Sequence, residues 1–120
     1  MATILLVEDD ESVRAFVSKA LRIDRHQVIE AEDGEMGLQA FADSSGIDLV
    51  LSDIQMPVMD GIAMTKALAQ DRPGQKILLM TGYANQRERA SDLEAMILGL
   101  VEKPFTLAAI RDRVSQALQN

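Results

Sequence analysis

Asp53 closes the apolar run "DLVLSD", and Glu8, Asp9 and Asp10 close another, "TILLVEDD". Thr81 stands at the same place after "KILLM", and Lys103 after "MILGLVE". A charge at the edge of a core costs free energy unless something pairs with it. Clustered carboxylates also repel, which raises the pKa of at least one of them unless a cation intervenes. Oxygen donors without His or Cys suit Mg²⁺, which keeps several waters and often serves phosphate chemistry. A carboxylate can attack phosphorus, while Mg²⁺, an ammonium and a hydroxyl stabilise the phosphoryl oxygens. Phosphoryl transfer onto Asp53 is therefore the chemistry these residue types suit, provided the chain brings them together.

The elements that must do so alternate. Residues 3 to 8 form a near-continuous apolar run, as a strand buried on both faces should. Asp10 is placed to cap a helix carrying Val13, Phe16, Val17, Ala20 and Leu21 on one stripe. "QVIEA" is a short strand, a helix follows over about 34 to 43, and Gly46 turns the chain into the strand ending at Asp53. Met56-Pro57 requires an extended loop, and Asp60-Gly61 turns it into a helix over about 62 to 70. After "RPG" comes the strand "KILLMT". Asn85 with Glu88 has the form of a capping box for a polar helix to about 94. "MILGLVE" is the fifth strand, and Thr106 caps a last helix with Leu107, Ile110, Val114 and Leu118 inward. Five strands alternating with five helices predict an α/β fold, a parallel sheet covered on both faces. Right-handed crossovers then require a reversal of winding, and ligands bind at that point beyond the strands' carboxyl ends. If the first strand lies centrally, the carboxylates, Thr81 and Lys103 share one crevice there.

The chain has 120 residues, a size that suits one domain, and 48% are hydrophobic, which excludes a disordered chain. No apolar run is long enough to span a bilayer, and the start lacks the basic region and cleavage site of a signal peptide. There are no cysteines, hence no disulfide or thiolate metal site. These features predict a cytoplasmic protein. The net charge of −7 argues against direct nucleic-acid binding and favours proteins or cations as partners.

In order and spacing, "LLVEDDE", "LVLSDIQMPVMDG", "LLMTG" and "EKPF" resemble the motifs of response-regulator receiver domains, over the whole chain, 1 to 120. The resemblance implies a chemotaxis-regulator-like, flavodoxin-like doubly wound sheet in the order 2-1-3-4-5, an order the general rule for such folds already illustrates with a member of this family. It implies that a histidine kinase or histidine phosphotransfer protein phosphorylates Asp53 and that protein contacts with a downstream target then switch. It also implies that Glu8 and Asp9 serve Mg²⁺ with Asp53, Asp9 as a direct ligand, and that the Gln55 backbone carbonyl is a third protein ligand. By the same resemblance Thr81 looks like the hydroxyl that follows the phosphoryl group and Lys103 like the family's lysine, which implies a cis bond to Pro104. Where the family commonly places Tyr or Phe three residues before that lysine, this chain has Leu100. Tyr83, in "MTGYAN", is the candidate reporting aromatic, or else a lid that shields the pocket and slows attack by water; that stretch is similar to hybrid-kinase receivers and single-domain regulators of alphaproteobacteria. The initial Met and the short tail "QALQN" favour a complete single-domain regulator.

Simpler readings exist for single residues. Glu8, Asp9 and Asp10 also suit an acidic helix N-terminus. Asp60 reads as a turn residue, His26 as exposed loop, and "QRERASDLE" as a solvated helix face or, functionally, a partner surface. Met56, Met59 and Met64 read as gap-fillers. Two rival functions are a phosphorylation-independent adaptor, marked by failure to take phosphate from any small donor, and a small phosphatase with an aspartyl nucleophile, marked by turnover of general phosphomonoesters. The phosphatase would usually begin from Asp-x-Asp after its first strand, where this chain has "EDD". Beyond its own phosphorylation and dephosphorylation, no turnover activity is expected.

Overall fold

The computed structural model describes residues 1–82 and 88–119. Its strands are β1 (Thr3–Val7), β2 (Gln27–Ala31), β3 (Leu49–Asp53), β4 (Ile77–Thr81) and β5 (Gly99–Glu102). The helices are α1 (Glu11–Ile23), α2 (Gly34–Asp43), α3 (Gly61–Asp71) and α4 (Leu107–Gln119), with a short 3₁₀ turn at Ser91–Leu93. All strands are parallel, in the order β2-β1-β3-β4-β5. This is the doubly wound, flavodoxin-like order that the motifs implied.

Strand alternation divides the core in two. Leu5, Val7, Val50, Ile77 and Leu79 pack with Met64 and Leu68 of α3 and with Ala90 and Leu93. Ile4, Leu6, Leu49, Leu51, Leu78 and Met80 pack with Val17, Ala20 and Leu21 of α1 and with Ile110, Val114 and Ala117 of α4. The connection from β1 runs to β2 on one side, whereas the connection from β2 runs past β1 to β3 on the other. Right-handed crossovers in opposite directions place their helices on opposite faces. The winding therefore reverses between β1 and β3, the first followed directly by Glu8 and the second ending on Asp53.

The expected caps are present. Asp10 accepts the backbone N–H of Ser12 (2.9 Å) and Val13 (3.1 Å), Asp60 that of Ala63 (2.9 Å), and Thr106 Oγ1 that of Ala109 (3.0 Å). Of the inward stripe expected on the last helix, Ile110 and Val114 are buried, whereas Leu107 and Leu118 lie at its margin. Met56 and Met64 are buried and Met59 packs against them, so all three fill core space.

Three expectations need correction. The described part of the fourth connection is not a helix through 94: a short helical turn at Glu88 and Arg89 leads into the 3₁₀ turn, while Asn85 and the rest of 83–87 lie outside the described residues. Asp60 is more than a turn residue, because its carboxylate also forms an ion pair with Arg89. His26 is half-buried, its Nδ1 accepting the Ala2 N–H at 3.1 Å.

That burial lowers the His26 pKa, helped by the N-terminal ammonium and opposed by Asp24 and Asp48. An unfolded imidazole takes its proton near about 6.5. Below that pH the unfolded chain binds more protons than the folded one, so acidification removes stability until the pH falls below the folded pKa. NMR titration of this single imidazole will give a lower midpoint in the native chain than in urea. An equal or higher native midpoint would contradict the burial argument.

Candidate functional site

The crevice lies beyond the carboxyl ends of β1, β3 and β5 and is lined by Glu8, Asp9, Asp53, Gln55, Gly82 and Lys103, with Val13, Phe16, Pro104 and Phe105 as an apolar flank. Alternation along β3 puts Asp53 on the same side as Leu49 and Leu51, the side covered by α1 and α4. Phe16, expected inward, is 40% exposed and stacks on Phe105 at 6.3 Å between ring centroids.

Lys103 joins the two ends of the site. Its Nζ donates to Glu8 Oε1 at 2.7 Å and lies 3.2 Å from Asp53 Oδ1. Glu8 is fully buried and Asp53 is 6% exposed, whereas Asp9 faces solvent. Burial raises the Glu8 pKa, with the Asp53 charge adding to it, against the lowering influence of Lys103 and of the Asp10 N–H. Burial likewise raises the Asp53 pKa against the pull of Lys103. For Lys103, burial works against the charged form, but the bond to Glu8 and the charge of Asp53 outweigh it and the pKa rises. The crevice is thus a place where negative charge is under-compensated.

One carboxylate oxygen from each of Glu8, Asp9 and Asp53 lies within 4.8 Å of the others. Opposite ligands of a Mg²⁺ octahedron are about 4 Å apart, so this spacing is compatible with one small cation held among them. The hard, oxygen-only donors fit that ion. Asp10 is separate: its carboxylate is occupied in capping α1, and the Ser12 hydroxyl, followed by the capped N–H groups, holds its pKa low. The helix-terminus reading is therefore right for Asp10, while the clustering sets Glu8 and Asp9 apart.

Thr81 is buried at the end of β4, and its carbonyl accepts the Lys103 N–H at 2.7 Å. The Lys103–Pro104 bond is cis. Gln55 lines the crevice from the loop after β3. Tyr83 lies outside the described residues.

The 54–60 loop is held by features that sequence reasoning missed. The Gly61 N–H donates to Ile54 O at 2.8 Å, and a Cβ on Gly61 would stand 2.2 Å from the Asp53 carbonyl oxygen. The Gly34 N–H donates to Met59 O at 2.9 Å, where a Cβ would meet that oxygen at 2.5 Å. Val58 has φ +68°, and the Met59 N–H donates to Pro57 O across it at 2.7 Å. A β-branched residue there stores about 1–3 kcal/mol of strain. "MDG" signals a turn, but nothing in the sequence marks Val58 as its strained residue.

Residues 4–115 match the family described as response regulator receiver domain. The chain belongs to that family, the phosphoryl-accepting modules of two-component signalling. It is 34% identical over 122 residues to the sensor kinase CckA of Brucella abortus, covering 98% of this chain and 13% of the kinase. The chemotaxis response regulator CheY4 of Vibrio cholerae superposes with a TM-score of 0.86 at 28% identity, covering 98% of each chain. The response regulator TrrA of Thermotoga maritima, solved in complex with Mg²⁺-BeF, gives 0.88 at 27% identity, covering 98% of this chain and 99% of that one. The chain spans between 13% and 31% of the length of three of the curated relatives it matches.

Proposed function

We propose that this chain, 1 to 120, works as one receiver domain that takes a phosphoryl group onto Asp53 in the presence of Mg²⁺ and changes its protein contacts as a result. The observation that carries the reading is the Lys103 ammonium, in ion-pair contact with both Glu8 and Asp53 at the reversal of winding. An Asp53 carboxylate oxygen attacks phosphorus, the bond from phosphorus to the donor's leaving atom breaks, and the leaving group departs with the electron pair. Bound among Glu8, Asp9, Asp53 and the Gln55 carbonyl, Mg²⁺ supplies positive charge to the phosphoryl oxygens. Lys103 turns its ammonium from the free carboxylate to the phosphoryl group, and the Thr81 hydroxyl donates to it. The donor is a phosphohistidine on a histidine kinase or phosphotransfer protein, and the recipient of the signal is a downstream protein rather than nucleic acid. The setting is cytoplasmic; among the described residues, no helix is long and apolar enough to cross a membrane. Tyr83 is the reporting aromatic.

Metal binding is measurable without a partner. Three carboxylates against one ammonium leave two net negative charges when all are ionised. A cation that binds the folded chain alone stabilises it by about 1.4 kcal/mol at a tenfold excess over its Kd. Thermal unfolding in Mg²⁺ will therefore show a midpoint several degrees above that in EDTA, and Asp9→Ala will lose most of the difference. Beryllofluoride added with Mg²⁺ will raise it further and change the emission of the single tyrosine. An equal Mg²⁺ shift in Asp9→Ala would remove the site, and unchanged emission at saturating beryllofluoride would remove the role of Tyr83.

A further inference from the structure

Arg14 belongs to α1, on the side of the acidic turn away from Lys103's end of the sheet, and is only 15% exposed in its side chain. Its Nη1 donates to the backbone carbonyl of Glu8 at 2.8 Å, and its Nε lies 3.4 Å from Glu30 Oε1 on the edge strand β2. Glu30 is held in turn by Arg22, 3.5 Å from its other oxygen. On its other side the Glu8 backbone is fixed by its N–H, which donates to Ala31 O at 3.0 Å. The Glu8 side chain is already engaged by Lys103 and the Asp10 N–H. Two hydrogen bonds that hold the Glu8 backbone thus come from β2 and from Arg14.

We propose that Arg14 is a positioning residue of the cation site: by clamping the Glu8 carbonyl to the edge strand, it holds the Glu8-Asp9 turn where both carboxylates can face Asp53. The inference rests on the reading of that crevice as a Mg²⁺ site. Arg14 touches neither the cation's carboxylate ligands nor the reacting oxygen. Its action is geometric, through the Glu8 carbonyl and the Glu30 carboxylate. The planar guanidinium makes two directed contacts at once, to a carbonyl and to a carboxylate, whereas an ammonium is a point charge without that fork. Groups that orient metal ligands typically change affinity by about 10–100-fold when removed.

Mg²⁺ titration by calorimetry on the full chain decides the matter. Arg14→Ala is expected to weaken Mg²⁺ binding about tenfold or more, Arg14→Lys to recover only part of it, and Glu30→Gln, which leaves Arg14 in place but loosens its anchor, to give a smaller loss in the same direction. Melting in EDTA gives the stability of each variant separately. Native Mg²⁺ affinity in Arg14→Ala and in Glu30→Gln, whatever their melting temperatures, would overturn the assignment and leave Arg14 an ordinary structural ion pair. If Arg14→Ala does not fold, Arg14→Lys and Glu30→Gln carry the same comparison. Absence of Mg²⁺ binding by the native chain would instead overturn the cation site itself, and with it this role.

Discussion

Asp53→Asn will gain no phosphoryl mass from acetyl phosphate and Mg²⁺ under conditions in which the native chain gains one group. The amide fills the same space, so the 6%-exposed position stays packed, but it has no anionic oxygen to attack phosphorus. Unfolding will not explain the loss. The Asp53 pKa is raised, by burial first, so the folded state disfavours its charge even with Lys103 beside it. By linkage, a raised carboxylate contributes stability that is full below its unfolded pKa and lost as the pH rises through the folded pKa. A neutral isostere escapes that loss, so in EDTA at neutral pH Asp53→Asn will melt no lower than the native chain. Lys103 still has Glu8, which it reaches at 2.7 Å in the native chain, as a partner. Intact-protein mass spectrometry checks the first claim and melting in EDTA the second; persistent phosphate on Asp53→Asn would move the acceptor elsewhere.

Gly61→Ala will be the most disruptive of these substitutions to stability. Its Cβ would lie 2.2 Å from the Asp53 carbonyl oxygen and 3.1 Å from Ile54 Cα, both backbone atoms that no rotamer change can move. Helix propensity favours alanine there, but by less than about 1 kcal/mol. To make room, the start of α3 must leave the end of β3, which breaks the 2.8 Å bond from the Gly61 N–H to Ile54 O. Overpacking of this kind costs about 1–3 kcal/mol, and the lost hydrogen bond adds about 1 kcal/mol. Since 1 kcal/mol shifts the melting point of a domain of this size by roughly 4 °C, a drop of about 10 °C is expected. Gly74→Ala is the comparison. Gly74 has φ +89° with nothing within 4 Å of its added Cβ, so only the left-handed backbone penalty of about 1–2 kcal/mol applies. Because the displaced atom is the carbonyl of the proposed acceptor, Gly61→Ala will also slow phosphorylation, whereas Gly74→Ala will not. Melting curves that put Gly61→Ala at or above Gly74→Ala would show that the β3 end yields more easily than this geometry allows.

What the sequence determined by itself is local. Strands β1, β3 and β4 announce themselves as apolar runs that stop at a charged or hydroxyl residue, because a strand buried on both faces can present polar groups only at its ends. Asp10, Asp60 and Thr106 cap helices, because a short side chain before a helix satisfies N–H groups two or three residues away. The strand-end positions of Glu8, Asp53, Thr81 and Lys103 follow from the same pattern, and motif resemblance supplied the sheet order that joins them. Tertiary structure alone decided which of these groups touch. Lys103 reaches Glu8 across 95 positions of chain, and Arg89 reaches Asp60 across 29, distances over which periodicity and capping carry no information. Arg14, three residues into the repeat of an amphipathic helix, looks like any solvated arginine until β2 is laid beside β1 and brings Glu30 to it. Gly61 reads as the end of a turn, and only the approach of α3 to the last carbonyl of β3 makes the absence of its side chain essential. Contacts of this kind depend on which strands become neighbours, and that is settled by the packing of both sheet faces at once rather than by any one segment.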